Sequence, residues 1–355
     1  MACKHIGIAG AGLLGRLLAW RLSNAGHCVT VFDPAADAQA RGAAGFTAAG
    51  MLSPIAELEC ADAKVAALGW RSLDLWARIA PRLPRPVGFR REGSLLLAHA
   101  CDSGSAKRLL DAIDAKSAAS ATRPEALTAA QLRALEPDVQ GPALGWLLRG
   151  EGQIHTLQAM QALADGASRS GARWCWSHAV QRIAPGLIDG RRFDHVFDVR
   201  GLGARPELPL RGVRGEIAWL HAPGLKLRRP LRLLHPRHRV YLVPRADEIV
   251  VVGASEIESE DRSPISLRTL VNLLGAAHSV VPELAEARVV HTETNLRPAL
   301  PDNLPHLDAG PALTRINGLF RHGWLIAPAL VEDALREAGF DEPIAMRDEE
   351  EAMLR

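Results

Sequence analysis

The chain has a single tyrosine, five cysteines and almost no surplus of charge. Cys3, Cys28, Cys60, Cys101 and Cys175 are scattered, and no two stand in a C-x-x-C spacing. Neither a disulfide framework nor a zinc site is indicated, and no metal is expected. Buried free thiols in a reducing compartment are the simplest reading. The formal charge of +2 gives no general affinity for nucleic acid or for an anionic membrane. No stretch reaches the ~20 apolar residues that span a bilayer. The N-terminus is basic and then apolar, like a secretory leader, but Arg16 interrupts the run. A cytoplasmic protein is expected.

Hydrophobic residues make up 48% of the chain and charged residues 23%, a globular composition. The length of 355 residues suits two domains or one large interleaved fold. The densest signal lies in residues 4–33, which read as strand, glycine turn, helix, strand and acid. Ile6 to Ala9 is short and apolar, as a buried parallel strand should be. Gly10, Gly12 and Gly15 follow in the spacing G-x-G-x-x-G. The first glycine allows a tight turn, the second lets backbone approach a pyrophosphate, and the third lets the helix pack on the strand. The helix begins with Leu13 and Leu14 and aims its bare N–H groups at the phosphates. Asp33 closes the second strand, where a carboxylate can accept the ribose hydroxyls of an adenosine. It argues against a 2′-phosphate, and the fingerprint alone leaves NAD and FAD open.

A run of small residues follows and ends in Ala48-Ala-Gly-Met-Leu-Ser-Pro54. With the glycine fingerprint before it, this stretch resembles the D-amino-acid oxidase family of flavoenzymes, and within it the glycine oxidase branch that serves thiamine biosynthesis. The resemblance implies FAD and places Ala49, Gly50 and Met51 along it. It implies an α/β fold: a Rossmann-like FAD-binding domain with an inserted antiparallel-sheet substrate domain. The FAD-binding pieces are expected at 1–85, 140–212 and 296–355, and the substrate-binding pieces at 86–139 and 213–295. Val180 falls where that family's chain returns to the adenine.

Three further islands carry the resemblance. Arg297, in Leu296-Arg-Pro-Ala-Leu-Pro-Asp302, matches the arginine that grips the substrate carboxylate. Tyr241, in Val240-Tyr-Leu-Val-Pro-Arg245, matches the substrate-domain tyrosine. Gly318-Leu-Phe-Arg-His-Gly-Trp324 matches a stretch in which Arg321 is a second site arginine and His322, Gly323 and Trp324 lie beside the flavin. A guanidinium suits the first role because it stays charged and binds a carboxylate with two parallel hydrogen bonds. No strong general base is required in such a site, and His155 reads as a capping or surface histidine. Departures from the pattern are His322 for Asn, Trp324 for Ile, Asn295 for Gly and Glu256 for Met. An inward Trp324 would narrow the pocket, and Glu256 could favour a second amino group on the substrate.

The resemblance implies oxidation of a small amino acid by dioxygen, with glycine as the first substrate, and the imine passing to a thiazole synthase. A homo-oligomer is compatible with it. A dehydrogenase acting on a D-amino acid or N-methyl amino acid, a tRNA-modifying flavoprotein and a flavin-bearing scaffold are the alternatives. The tRNA reading would use the basic run Lys226 to Arg239, which includes His235, Arg237 and His238. A solvated strand-loop edge is the preferred reading of that run. The closing helix is expected over Ala329 to Ala338, with a frayed tail from Asp348 to Arg355.

Overall fold

The computed structural model describes residues 2–58, 62–116, 123–234 and 239–340. Cys60, His235, Arg237, His238 and the tail Asp348–Arg355 lie outside the described residues.

Two large sheets face a common cavity. The first has six strands, in the order His306–Gly310, Leu313–Asn317, His195–Asp198, His5–Ala9, Cys28–Phe32, Arg173–Cys175. All neighbours are parallel except the first pair. Helices cover it, so its inner strands carry apolar runs: Ile6, Ile8, Val29, Val31, Val196 and Phe197 are all buried. The helix Leu13–Asn24 starts directly after Gly12 and packs on the helix Thr156–Arg169. This is the doubly wound arrangement expected from residues 4–33.

The second sheet has eight strands and is mostly antiparallel. Its order is Arg288–Ala299, Arg211–His221, Ile249–Gly253, Arg239–Pro244, Leu231–Leu234, Ser94–Ala98, Leu144–Leu148, Glu125–Leu127. Only Leu231–Leu234 and Ser94–Ala98 run parallel. A separate core of Leu95, Leu97, Leu231, Leu242 and Val252 lies under the helix Leu267–Val280. The expected changeover points at 212–213 and 295–296 fall inside two long strands. These pair from Arg211↔Ala299 to His221↔Arg288 without leaving the sheet. Thr128 caps the helix Ala129–Leu135 in a reciprocal box with Gln131.

Three expectations are corrected. Among the described residues the thiols are not buried: Cys3, Cys28 and Cys101 are exposed and Cys175 half-buried. Cys28 opens its strand, and the first residues of such strands lie at the rim of the sheet. The basic run 226–239 is not wholly a solvated edge. Leu231–Leu234 is a buried inner strand, and Arg232 points into the protein. The closing helix starts six residues early, as Gly323–Glu337, with Pro328 inside it.

Pro328 is tolerated because other side chains repair the hydrogen bonds around it. A proline cannot donate to the carbonyl four residues back, here Trp324. The indole N–H of Trp76 donates to that carbonyl at 3.0 Å. The next amide, Ala329, donates to the Ser72 hydroxyl at 3.1 Å. Trp76 also stacks on Trp324 with 5.6 Å between ring centroids. Both helpers lie on the helix Ala63–Ile79, which packs along Gly323–Glu337.

Among the described residues no helix is long and apolar enough to cross a membrane. Trp76→Phe keeps an aromatic ring but leaves the buried Trp324 carbonyl without its donor. Chemical denaturation is expected to show a loss of ~1–3 kcal/mol; unchanged stability would show that the carbonyl needs no partner.

Candidate active site

A cavity of about 1700 Å³ runs between the two sheets. Ordinary ligand pockets measure roughly 300–1,000 Å³, so this one has room for a dinucleotide and a substrate together. One end is walled by Gly10, Gly12, Leu13, Leu14, Asp33 and Val180. Ala49, Gly50 and Met51 form a middle wall. The other end holds Tyr241, Arg297, Arg321 and Gly323.

The glycine turn has the shape that its sequence requires. Gly10 has φ +106°, and a Cβ there would lie 2.6 Å from the Val199 carbonyl oxygen. A Cβ on Gly15 would lie 1.8 Å from the Gly10 carbonyl oxygen, so the helix can approach the strand only without one. Gly15 therefore packs behind the turn rather than lining the cavity. Gly12 borders the cavity, and a Cβ there would meet only Ala43, at 3.6 Å. The turn thus offers bare backbone at the head of a helix, as a pyrophosphate requires. Asp33 holds the same turn from below. Its carboxylate accepts from the amides of Ala11 at 2.5 Å and Ala35 at 2.8 Å.

Arg16 is the residue at this end whose role the sequence did not disclose. It is 1% exposed, yet it belongs to the helix that follows the turn. Its guanidinium donates to the carbonyls of Ala11, Met160 and Ala38 at 2.8–2.9 Å. It therefore ties the glycine turn to the helix Thr156–Arg169 and to the segment at Ala38. Burial lowers its pKa to about 10, opposed by the nearby Asp33 carboxylate.

At the far end Arg297 projects from the strand Arg288–Ala299. It donates to the Arg214 carbonyl at 3.3 Å and to the Ser255 carbonyl at 3.0 Å. A Cβ on Gly215 would lie 2.4 Å from its guanidinium carbon, so Gly215 makes the space it occupies. Among the described residues no carboxylate comes within ion-pair distance of Arg297. Burial pulls its pKa below the usual arginine value, and Tyr241 opposes this. Tyr241 stands opposite Gly253 on one side and Arg232 on the other. Burial raises its phenol pKa, against the pull of Arg297 and Arg321.

Arg321 is in a different position, because two carboxylates surround it. Its Nε lies 3.3 Å from Glu57 and its Nη1 lies 3.2 Å from Glu256. Glu57 also lies 3.1 Å from Nδ1 of His322 and 3.9 Å from Arg232. Burial alone would raise the Glu57 pKa. Arg321, His322 and Arg232 outweigh it and hold the carboxylate well below its ordinary range. Beneath this cluster, Glu151 is fully buried and accepts from Ser53, Ser94 and the Ile55 amide. Burial pushes its pKa up to about 7, against those hydrogen bonds. Glu151 thus anchors the short segment Pro54–Glu57 that presents Glu57.

The structure shows what several of the expected residues touch. Trp324 does not project across the pocket. It is buried against Trp76, and its indole N–H donates to the Gly45 carbonyl at 2.9 Å. His322 is buried at the head of the helix Gly323–Glu337 and faces Glu57. Asn295 donates to Thr47 at 3.1 Å and so ties the second sheet to the loop beside the glycine turn. Glu256 is already committed to Arg321, which leaves it unsuited to hold a second substrate amine. His155 stays outside the cavity wall; burial, and then Arg245, lowers its pKa to about 4. Glu57, Arg232, Arg16 and Glu151 were not singled out as site residues from the sequence. Only Glu57 carried a signal, standing three residues beyond the Ala48–Pro54 stretch.

Comparison with known proteins agrees with this geometry. The family model described as DAO, FAD dependent oxidoreductase, matches residues 5–333. The chain is 38% identical to ThiO of Rhizobium etli, named as a thiamine biosynthesis oxidoreductase, over 93% of this chain and 94% of that one. It is 28% identical to a bifunctional ThiO/ThiG protein of Nostoc, over 95% of this chain but only 53% of that longer one. The fold superposes on the crystal structure of glycine oxidase from Geobacillus kaustophilus with a TM-score of 0.83. That match has 23% identity and covers 97% and 96% of the two chains.

The glycine turn supplies a test of the cofactor end. Gly12→Ala meets no obstacle inside the protein, so the apoprotein should melt within a few degrees of wild type. Its Cβ intrudes on the phosphate cradle, and the FAD dissociation constant should rise by about tenfold or more, a change of ~1.4 kcal/mol. Equal FAD affinity would remove the turn from the cofactor site.

Proposed function

The chain belongs to the DAO family of FAD dependent oxidoreductases, and from that premise we propose that it oxidises a small amino acid, with glycine as first substrate. Glycine would lose a hydride from Cα and a proton from nitrogen to give the imine. Water converts the imine to glyoxylate and ammonia, or it passes to a thiazole synthase. FAD, when bound, would supply the hydride acceptor and the route by which the electron pair reaches dioxygen, which with the released proton leaves as hydrogen peroxide.

One observation carries this reading. Arg297 is a half-buried guanidinium with hydrogen bonds to two carbonyls and no carboxylate of its own among the described residues. A buried cation in that state is completed by an anion that arrives with the substrate. An amino-acid carboxylate fits the guanidinium fork, and the Tyr241 hydroxyl stands beside it to accept or donate one further hydrogen bond. Fixing the carboxylate fixes Cα, so these side chains contribute position and charge rather than proton transfer. Among the described residues no free base stands near Tyr241, which fits this division of work: Glu57 is held by Arg321, His322 and Arg232.

The thiazole destination rests on relatives. The protein of Rhizobium etli is named for thiamine biosynthesis, and the Nostoc protein joins ThiO to ThiG in one chain. A fused arrangement suits an imine that hydrolyses in water.

Arg297→Ala is the direct test. Loss of a charge-assisted bidentate pair should lower kcat/KM for glycine by ~3 kcal/mol, about 150-fold, with FAD retained. Peroxide release measures the rate and the flavin spectrum confirms loading. Unchanged kinetics would remove Arg297 from the substrate site and take the reading with it.

A further inference from the structure

The two arginines at the substrate end differ in how far their charge is already answered. Arg297 has only carbonyl partners. Arg321 has Glu57 on its Nε edge and Glu256 on Nη1. The two acids are not equivalent. Glu57 is mostly buried and shared with His322 and Arg232, so it belongs to the frame. Glu256 follows the strand Ile249–Gly253 in the cavity wall, is 44% exposed, and makes its ion pair with Arg321.

We propose that Glu256 is a specificity-determining residue. By capping Arg321 it makes the site take amino acids with one carboxylate and reject those with a second anionic group. This rests on the reading of Arg297 as the carboxylate anchor. A substrate held there extends its other end into a space whose second guanidinium is already neutralised. A second carboxylate arriving in that space must displace Glu256 or lie against it. Like charges brought close in a partly desolvated site repel far more than in bulk water, and this is specificity obtained by rejection. A neutral distal group, or none as in glycine, never meets this barrier.

Sarcosine and iminodiacetate differ by one carboxylate, and comparing wild type with Glu256→Gln separates the effect of its charge from that of its bulk. Both are N-substituted glycines, and they differ by the terminal carboxylate of iminodiacetate. The FAD-loaded wild type should favour sarcosine over iminodiacetate in kcat/KM by about tenfold or more. Glu256→Gln, which keeps size and polarity, should narrow that ratio by about tenfold. An unchanged ratio overturns the proposal, as does a wild type that accepts both equally. The ratio is the readout because general damage to the site would lower both values together. Acetate and malonate report the same preference without turnover, through the change they cause in flavin absorbance. Glu256→Gln should tighten malonate relative to acetate by a similar factor. No relative change overturns the proposal even if neither amine is oxidised. A wild type inert toward glycine that still prefers acetate over malonate would count against the proposed reaction and leave this charge selection standing.

Discussion

A guanidinium in the cavity wall, kept charged with no carboxylate of its own among the described residues, is the constraint from which the rest of this structure can be read. Burying an unanswered charge is costly, so the surroundings of Arg297 are specified closely. Gly215 has no side chain because the guanidinium fills that space. The carbonyls of Arg214 and Ser255 turn toward it. Two strands, Arg211–His221 and Arg288–Ala299, pair along their length with one bulge at Trp219/Leu220 and hold Arg297, Gly215 and the Arg214 carbonyl in register. The neighbouring Arg321 is treated in the opposite way, with its charge answered by Glu57 and Glu256. On the proposed reading the site presents one anion anchor rather than two.

The cofactor end obeys a steric constraint instead. The first helix lies so close to the Gly10 carbonyl that Gly15 must lack a side chain, and the Val199 backbone leaves no room for one on Gly10. Asp33 and Arg16 then fix the turn with hydrogen bonds to its backbone. The link between the two ends is the helix Gly323–Glu337, whose head carries Arg321 and His322. That helix can begin so early only because Trp76 and Ser72 repair the hydrogen bonds disturbed by Pro328. The packing of two helices therefore sets where a site arginine stands.

What could be read from the sequence was local, or was carried by a motif. The glycine turn, its strands and Asp33 follow from spacing within thirty residues. Arg297, Tyr241 and Arg321 came from their motifs, and the fold brings all three to one end of the cavity. Glu57 and Arg232 had no comparable signal. Their meaning arises from partners far along the chain: Glu57 meets Arg321 and His322 across more than 260 residues. Pro328 misled because a proline reads as a helix break unless its repair is known, and Trp76 lies about 250 residues away. The basic run misled for a related reason: Arg232 counts as surface charge until the strand that carries it is seen to be an inner one.

Anaerobic reduction of the bound flavin by glycine tests the central claim most directly. The purified FAD-loaded protein, mixed with glycine in the absence of oxygen, should lose its flavin absorbance, and admitting air should restore it with release of peroxide. That result would show that the anion anchored at Arg297 is an amino acid whose Cα delivers hydride. A flavin that glycine leaves fully oxidised, while a larger D-amino acid bleaches it, would contradict glycine as the substrate. A flavin that no amino acid bleaches would contradict the account of the site itself.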